Sequence, residues 1–533
     1  MKKFQFSKTI LAVFLLFPII FYSMEYNVLD FGAKGDGTTM NTIAIQKTID
    51  ACNKTGGVVI FPSGKYLTGT IYLKNNVSIY LQNGAIILGS NHLKDYPENL
   101  PDYQFLRKGK IKRALIYAEN CENISIKGAG IIDGQGAFFK EPSDKNVSSY
   151  SVRPHVIWMI QSKNISIEGV KLQNSALWMQ HYIACENLYI HNIEVYNHAN
   201  KNNDMMDING CKDVIISDCR GDTDDDGITI KSTHAMPNEN ITITNCIISS
   251  HCNAIKCGTE SNAGFKNITI SNCIVRPSKD KEPIYGEAEG ISGIAMEVVD
   301  GAEMNGVHIS NIMIDGPQVP IFIRLGNRAR GYDKDLPKPK VGSIKNITIS
   351  NITAYNADAT GSSITGIPGN PVKNITLENI RIFYKGGGTV NDATRMIPEL
   401  ESDYPDAIMF DRLSSYGLFI RHAENITLSN VELYFRNDDK RPAIYLEDLK
   451  NGKILDMQAD VATVSSLIKA NNVKDLYIKN PWIKDRCSSL IEISGEQSKS
   501  IILLDIDKRK YNELFKVSKD VSKKVVKQTN IFQ

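Results

Sequence analysis

A short phrase recurs along this chain, and it constrains the fold more than any other feature. Variants of Asn-Ile-Thr-Ile-Ser-Asn begin at Asn123, Asn164, Asn187, Asp213, Asn240, Asn267, Gly306, Asn346, Asn374 and Asn425, with weaker copies near Gly452, Asp475 and Lys499. The shortest intervals between copies are 23 to 28 residues. Self-similarity at such a period is typical of solenoids, in which each repeat forms one coil of a stack.

Each copy of the phrase has the pattern of a half-buried strand. Ile241 and Ile243 alternate with Thr242 and Thr244, for example, and period-2 alternation indicates a strand with one buried face. Nothing between the copies repeats at helical spacing, so we expect coils of three short strands and three turns. The sequence therefore predicts an all-β fold, a right-handed parallel β-helix of about ten or more coils.

The two open ends of such a stack need covers, because unpaired strand edges promote aggregation. Ile45, Ile49 and Cys52 share one helical face within residues 41–53, which predicts a short N-terminal capping helix. In the tail from Tyr511, the residues Leu514, Val517, Val521 and Val525 are also spaced as on a helix. Either segment could instead be an ordinary surface helix. We expect the cap and first coils at 24–95, the β-helix body at 96–510, and a C-terminal cap or tail at 511–533.

The first 23 residues have the pattern of a signal peptide. Lys2, Lys3 and Lys8 precede an apolar run over residues 10–22, followed by Ser23. This run is shorter than the roughly 20 residues that span a bilayer, so we expect export to the periplasm or the medium, and a retained anchor is the alternative. The formal charge of +2 indicates neither nucleic acid nor a membrane surface as a partner.

Ten cysteines in an exported chain would suggest disulfides. Their positions favour a different interpretation. Cys219, Cys246 and Cys273 recur at intervals of 27 residues, and Cys185 and Cys211 are one repeat apart. Residues that recur at the coil period stack inside the solenoid, where a free cysteine packs as a small apolar side chain. We expect stacked thiols.

Three polar segments lie about one coil apart and carry the candidate chemistry. The first spans 202–208 and contains Asp204, the second spans 222–231 and contains Asp225 and Asp226, and the third contains His251. Asp204 and Asp225 are separated by 21 residues, and Asp226 and His251 by 25, so these side chains should meet on one face. Adjacent carboxylates raise one another's pKa, which supplies the acid and the base of glycosidic hydrolysis. Turn chemistry or a calcium site would also account for an acidic cluster alone.

Several phrases resemble glycoside hydrolase family 28, the polygalacturonases and their relatives. They are residues 28–37 (VLDFGAKGDG), 57–66 (GVVIFPSGKY), 131–136 (IIDGQG) and Arg153-Pro154. The resemblance covers residues 26 to 275 well and the remainder only as repeats. The N-terminal phrases also occur in other pectate-lyase-like β-helices, so the motifs of the three polar segments are more specific for the reaction.

The resemblance assigns roles residue by residue. The family's Asn-Thr-Asp motif corresponds to Asn202-Asn203-Asp204, its Gly-Asp-Asp to Asp224-Asp225-Asp226, and its Gly-His-Gly to Ser250-His251-Cys252. Asp225 would then be the general acid, Asp204 and Asp226 would hold and deprotonate the water, and His251 would tune the acid. Asn202 and Lys231 would bind substrate. The resemblance implies inversion at the anomeric carbon and no cofactor.

One family motif is missing from the chain. Ala295 and Glu297 stand where the resemblance places the Arg and Lys that grip a uronate carboxylate. Either the substrate has no uronate at that subsite, or other cations replace the motif. The candidates are Lys256, Arg324, Arg328 and Arg330.

Long intervals between strands predict loops at 140–150, 279–290, 326–342 and 384–416. Loops on a rigid scaffold carry specificity, and loops that close one end of a cleft would give action on chain ends. We expect a monomer that acts on pectic or related acidic polysaccharides or oligosaccharides. A polysaccharide lyase that holds calcium with the three aspartates is one alternative, and a carbohydrate-binding β-helix without catalysis is another.

Overall fold

The computed structural model describes residues 24–532, and the strands among them form one parallel stack. Each strand pairs with its counterparts in the preceding and following coils, as Lys163–Glu168 does with Glu122–Gly128 and Glu186–His191. The predicted parallel β-helix is confirmed. The predicted signal peptide, residues 1–23, lies outside the described residues.

The coils build three parallel sheets, which we call the cleft sheet, the ladder sheet and the third sheet. The cleft sheet contains Ile71–Tyr72, Ala114–Glu119, His155–Ile160, Gln180–Ile183, Met206–Asn209, Ile228–Ser232, Asn253–Ser261, Ser292–Val298, Val319–Leu325, Ser362–Thr365, Ser466–Asn471, Cys487–Ser494 and Tyr511–Val517. The ladder sheet contains Glu25–Asn27, Gly57–Phe61, Val77–Leu81, Glu122–Gly128, Lys163–Glu168, Glu186–His191, Lys212–Ser217, Asn238–Thr244, Phe265–Ser271, Lys474–Lys479, Lys499–Asp507 and Val526–Phe532. The third sheet contains Asp36–Met40, Gly64–Thr68, Ala85–Gly89, Ile131–Asp133, Lys171–Gln173, Glu194–Asn197, Arg220–Thr223, Ile247–Ser250, Ile274–Val275, Gln458–Ala459 and Trp482–Ile483.

Five longer strands bend from one sheet into the next. They are Glu303–Asp315, Ser343–Ala357, Val372–Gly386, Leu418–Asn437 and Ile444–Leu455. The helices are Thr42–Cys52 and Val390–Ala393, and the 3₁₀ turns are Val28–Phe31, Leu93–Asp95, Gly136–Phe138, Ser149–Ser151, Lys508–Lys510 and Lys523–Val525. No helix among these is both long and apolar enough to cross a membrane.

The recurrent phrase forms the turn into the ladder sheet. The first residue of most copies has a left-handed backbone conformation, as at Asn164, Asn187 and Asn240, which Asn tolerates better than most residues. The side chains also bond from coil to coil: Asn187 Nδ2 donates to Asn164 Oδ1 at 3.0 Å, and Asn240 Nδ2 donates to Asp213 Oδ1 at 2.8 Å. We call this column the asparagine ladder. It explains why the sequence repeats there.

The interior of the stack is apolar and in register. Ile165, Leu188, Val214, Ile241 and Ile268 occupy one position of successive coils, and all are buried. All ten cysteines are free and buried. Cys246 lies in contact with Cys219 and Cys273 on the neighbouring coils, so the prediction of stacked thiols is confirmed.

The two ends of the stack differ from each other. The helix Thr42–Cys52 buries Ile45, Ile49 and Cys52 against the first coils, as predicted. The prediction of a helix in the tail is wrong, because Tyr511–Val517 and Val526–Phe532 pair with the cleft and ladder sheets. The tail therefore adds two more strands to the stack.

Candidate active site

The candidate residues lie at the turns that lead into three consecutive strands of the cleft sheet. Met206 pairs with Ile228, and Ile228 pairs with Ile255. Two residues before these positions stand Asp204, Asp226 and Asn253, one on each coil. The amide of Met205 donates to Asp226 O at 3.0 Å, which fixes the first two turns side by side. The structure therefore brings Asp204, Asp225 and Asp226 together on adjacent rungs.

Asp225 is a buried carboxyl with few partners. Its Oδ1 accepts from the Asp226 amide at 2.9 Å, and its Oδ2 accepts from Asn202 Nδ2 at 3.3 Å. Burial, together with the neighbouring charge of Asp226, raises the pKa of Asp225 to about 7. This side chain can therefore carry a proton near neutral pH, as a general acid must.

Asp226 has a different environment on the same turn. Its Oδ2 lies 3.0 Å from Lys256 Nζ, and its Oδ1 accepts from Asn253 N at 3.2 Å and Asn253 Nδ2 at 2.7 Å. An ammonium group and two N–H donors are the partners of a negative charge. The two neighbouring carboxyls therefore differ in environment: Asp225 is buried with few partners, whereas Asp226 has a cation and two N–H donors.

Asp204 shares one cation with a second buried carboxyl. Lys231 Nζ lies 3.2 Å from Asp204 Oδ2 and 2.7 Å from Asp207 Oδ1, and it also sits over the Trp178 ring at 4.0 Å. Burial and the charge of Asp207 raise the pKa of Asp204, and burial raises the pKa of Asp207 to about 6. Asp204 Oδ1 is buried and has no hydrogen-bond partner among the described residues.

His251 does not face the cleft, contrary to our prediction. Its Nδ1 lies 3.1 Å from Asp224 Oδ1 and its Nε2 lies 3.1 Å from the Asp280 carbonyl oxygen, and the side chain is fully buried. Both partners accept, so both ring nitrogens must donate, as in an imidazolium. Burial opposes that charge, but the hydrogen bond to Asp224 raises the pKa of His251.

The residue that redirects His251 is Asp224, which stands where the related motif has glycine. Asp224 also accepts from the Ile284 amide at 2.6 Å and from the Tyr285 amide at 2.9 Å. Asp224 and His251 therefore clamp the loop 279–290 to the coils. This loop places Tyr285 beside the three candidate carboxyls.

A cavity of about 200 Å³ contains the three carboxyls, and we call it the catalytic pocket. Each of the four predicted loops contributes one lining residue: Tyr150, Tyr285, Arg330 and Tyr404. A second cavity of about 560 Å³ adjoins the catalytic pocket and shares Arg107, Tyr150 and Arg330 with it. The loops thus divide the cleft into a small inner chamber and a larger outer one.

The cations of the catalytic pocket are only partly those expected from sequence. Lys231, Lys256 and Arg330 line it together with the neutral Asn202, and so does Arg107, which no sequence pattern singled out. Arg107 and Arg330 both contact the buried Glu260, at 2.8 and 2.9 Å. Arg107 lies more than 150 positions from Glu260 in the chain, so no local pattern could have revealed the pair.

Arg324 is not a substrate-binding residue in this structure, and that prediction is wrong. It is fully buried, and its guanidinium donates to the carbonyl oxygens of Gly366, Glu399 and Leu400. The long loop 386–417 covers it. Glu297 is also buried away from the catalytic pocket, and burial raises its pKa to about 8, so it presents no charge to a substrate at neutral pH.

Two groups of side chains bring possible metal-ligand atoms close together. Ligand atoms of Asp225, Asp226 and Cys252 lie within 4.8 Å of one another, as do those of His198, Asp224 and His251. In the first group Lys256 already pairs with Asp226, and burial raises the pKa of the Cys252 thiol. This group therefore does not offer the six to eight oxygens that calcium takes. In the second group, hydrogen bonds to protein already engage Asp224 and His251.

The chain matches models of two protein families. The family model described as "Glycosyl hydrolases family 28" matches residues 104–400, more than half of the chain. A model described as "Rhamnogalacturonase A/epimerase, pectate lyase-like" matches residues 26–84.

Individual relatives carry related names. A "Probable polygalacturonase" of Vitis vinifera is 27% identical over 420 residues, 71% of this chain and 82% of its own length. An "Exo-poly-alpha-D-galacturonosidase" of Dickeya chrysanthemi is 37% identical over 155 residues, 28% of this chain and 25% of its own length. The crystal structure of a hyperthermoactive exopolygalacturonase from Thermotoga maritima superposes with a TM-score of 0.55 at 23% identity, covering 76% of this chain and 92% of that one. This last likeness supports the right-handed β-helix fold.

Proposed function

Because the chain belongs to glycosyl hydrolases family 28 and is a glycosidase, we propose that it hydrolyses galacturonide bonds of pectic polysaccharides from the chain end. The observation that carries this proposal is the environment of two adjacent carboxyls. Asp225 has a pKa of about 7, and Asp226 is held by an ammonium group and two amide donors. One turn thereby supplies a proton donor and a carboxylate to the catalytic pocket.

In the proposed reaction Asp225 protonates the glycosidic oxygen as its bond to the anomeric carbon breaks. Asp226 accepts a proton from the attacking water, whose oxygen bonds to that carbon. Asp204 orients this water through the unpartnered Oδ1. The C–O bond to the leaving sugar is replaced by a C–O bond to the water oxygen. The two proton transfers leave Asp225 ionised and Asp226 protonated, so the total charge of the pair is unchanged.

We propose that the anomeric configuration inverts, as the family resemblance implies. Carboxylate oxygens of Asp225 and Asp226 lie within 4.8 Å of each other, closer than the roughly 6.5–9.5 Å usual for inverting pairs. Stereochemistry is therefore a necessary test. Proton NMR of the first-formed product should show the anomer opposite to that of the substrate, and a product of retained configuration would exclude direct attack by water.

We propose that Arg107 and Arg330 bind the uronate carboxylate in place of the missing family motif. Both guanidinium groups line the catalytic pocket at its boundary with the outer chamber. Their shared partner Glu260 holds them in position at 2.8 and 2.9 Å, and guanidinium groups suit planar carboxylates. Lys231 and Lys256 are engaged by the catalytic carboxyls.

Action on chain ends is supported by the size of the catalytic pocket. A cavity of about 200 Å³ is below the range of roughly 300–1,000 Å³ usual for pockets that take drug-sized ligands, and the loops that enclose it leave room for a terminal sugar rather than a passing chain. The relative from Dickeya chrysanthemi is named an exo-poly-alpha-D-galacturonosidase, and the structural neighbour from Thermotoga maritima is named an exopolygalacturonase.

The proposed function is tested by a substrate screen with products separated by size. Homogalacturonan, rhamnogalacturonan and neutral galactan oligosaccharides would be incubated with the protein. We expect monomers or dimers of galacturonate from homogalacturonan at the earliest times. A ladder of intermediate sizes would contradict exo-action, hydrolysis of neutral galactan alone would contradict the substrate, and an unsaturated product absorbing in the near ultraviolet would indicate a lyase.

We also propose that the protein is exported, on the pattern of residues 1–23. Fractionation of cells that produce the full chain should recover it outside the cytoplasm with residues 1–23 removed. Full-length protein in the cytoplasm or the inner membrane would contradict this.

A further inference from the structure

The cleft sheet continues well past the catalytic pocket. From Lys256 the same outward position passes through Ala295, Phe322, Ser363 and Phe419 to Tyr445, five rungs along, roughly 24 Å at the usual strand spacing. It ends with Lys469, Glu492 and Lys516. The loop 386–417 lies over this face: its Tyr404 lines the catalytic pocket, and its residues 393–394 line two cavities beyond it.

The first of these cavities, of about 330 Å³, has an aromatic floor and unused polar groups. Tyr445 stacks on Phe419 with ring centres 5.5 Å apart and planes 4° from parallel. Ser414 Oγ, Arg421 Nε and Glu399 Oε2 are buried atoms without a hydrogen-bond partner among residues 24–532. A buried polar group without a partner is costly, so this cavity is built to receive hydroxyl groups or water.

The second cavity, also about 330 Å³, is cationic. It shares Ala393, Thr394 and Lys469 with the first and adds Lys440, Lys516 and Glu492. Lys440 pairs with Asp438, which leaves Lys469 and Lys516 beside Glu492. Ser465, Ser466 and Ser488 supply hydroxyl groups there. Such a lining favours an anion that also carries hydroxyl groups.

We propose that these two cavities form a second carbohydrate-binding groove, separate from the catalytic pocket, for an oligosaccharide that bears carboxylates. A sugar ring would pack on Tyr445 and hydrogen-bond to Ser414 and Arg421, and the carboxylate of the next unit would lie between Lys469 and Lys516. Aromatic platforms suit the apolar faces of sugar rings. The groove extends the proposed function: it holds the polymer on the face that hydrolyses it.

The test is affinity electrophoresis of the full chain in native gels that contain polygalacturonate. All proteins carry Asp225→Asn so that the gel matrix is preserved. Tyr445→Ala and the pair Lys469→Gln/Lys516→Gln remove the platform and the charge. The control pair Lys453→Gln/Lys499→Gln makes the same charge change on exposed positions of the ladder sheet. Hydrolysis of trigalacturonate by the same variants with Asp225 restored measures the catalytic pocket separately.

The groove predicts weaker retardation without loss of turnover. Tyr445→Ala should raise the dissociation constant for polygalacturonate about threefold to tenfold, and the Lys469/Lys516 pair should raise it about threefold, while the control pair and the trigalacturonate rates stay unchanged. Methyl-esterified polymer in the gel should remove the effect of the lysine pair.

Three results would overturn the groove. They are no retardation of the parent protein, equal retardation of all variants, and a control pair as damaging as Lys469/Lys516. None of them bears on the catalytic proposal, because that one depends on turnover and the gel measurement does not. Melting temperatures show whether each variant folds. If Tyr445→Ala does not fold, the test relies on the pair Lys469→Gln/Lys516→Gln, because both lysine side chains are partly exposed.

Discussion

Two kinds of turn on the same coils have opposite characters. The asparagine ladder repeats one residue type, exposed, with the same left-handed backbone and the same amide bond from coil to coil. The turns before the cleft strands do not repeat: successive coils place Asp204, Asp226 and Asn253 at one position, and all are buried. The repeated residues of this chain determine how the coils stack, and the residues that do not repeat, at the turns before the cleft strands, form the candidate active site.

The difference is energetic as well. A ladder amide is satisfied by its neighbours and keeps contact with water, so it stabilises the coil at little cost. The catalytic carboxyls are held out of water beside like charges, and this raises the pKa of Asp225 to about 7. Such a cluster is destabilising unless Lys231 and Lys256 compensate. The turns before the cleft strands therefore hold buried charges that are costly to remove from water, whereas the asparagine ladder keeps its amides in contact with water.

The largest contrast is expected from the same substitution made at both turns. Asp226→Asn removes the proposed base and should lower turnover by about 10²–10⁴; it also leaves Lys256 beside a neutral amide, so the melting temperature should fall. Asp213→Asn inserts the residue that the ladder normally carries and should change neither. Activity and circular dichroism melting of both variants check this. Turnover above a tenth of the parent value in folded Asp226→Asn protein would contradict the base assignment.

The next largest effect is expected at Asp224, which with His251 clamps the loop 279–290 to the coils. Asp224→Asn weakens the hold on His251 and on the loop 279–290, and we expect kcat/KM to fall about tenfold to hundredfold through misplaced substrate. Cleavage by a protease within 279–290 should become faster. The control is Asp218→Asn, which disturbs the more exposed pair of Asp218 with His191. If protease sensitivity is unchanged while activity falls, the clamp is not the reason.

The pH dependence should separate the two turns further. Asp225 has a raised pKa in the folded state, so its proton stabilises the protein fully below the unfolded value near 4, and this contribution is lost as the pH rises through about 7. Activity should fall over the same upper limb because the acid loses its proton. Asp225→Asn should therefore gain melting temperature relative to the parent between pH 4 and pH 8. A constant difference across that range would rule out the shift.

The smallest effect should come from the ladder itself. Asn240→Ala removes amide bonds to Asp213 and Asn267 and puts alanine in a left-handed conformation, which should cost about 1–2 kcal/mol of unfolding free energy. Turnover should stay within about twofold of the parent. Urea unfolding measures the first and oligogalacturonate hydrolysis the second, with the exposed Thr242→Ala on the same strand as control. Loss of turnover in a fully folded variant would couple the two turns.

Much of this arrangement could be predicted because it is local in sequence. At the site a coil of 22 to 27 residues converts spacing directly into adjacency, so the stacking of Asp204, Asp225 and Asp226 followed from counting. The helix Thr42–Cys52 followed from spacing as well. The same argument failed in the tail, where Leu514 and Val517 match helical spacing but lie in a strand that completes the last coils.

The rest depended on loops that no spacing describes. Arg324 faces outward from its strand, and only the covering loop, through the carbonyls of Glu399 and Leu400, makes it structural. Arg107 meets Glu260 across most of the cleft. The position of His251 depends on Asp224, which replaces the glycine of the related motif. Asp224 in turn binds a loop that lies sixty residues further along the chain.

The most direct test of the proton-donor role of Asp225 compares two leaving groups in one variant. Asp225→Asn should lower kcat/KM on digalacturonate by about 10²–10⁴, yet on a 4-nitrophenyl galacturonide by no more than about tenfold, because a nitrophenolate departs without a proton. Equal losses on both substrates would contradict the account, since the carboxyl would then serve some purpose other than protonating the leaving oxygen.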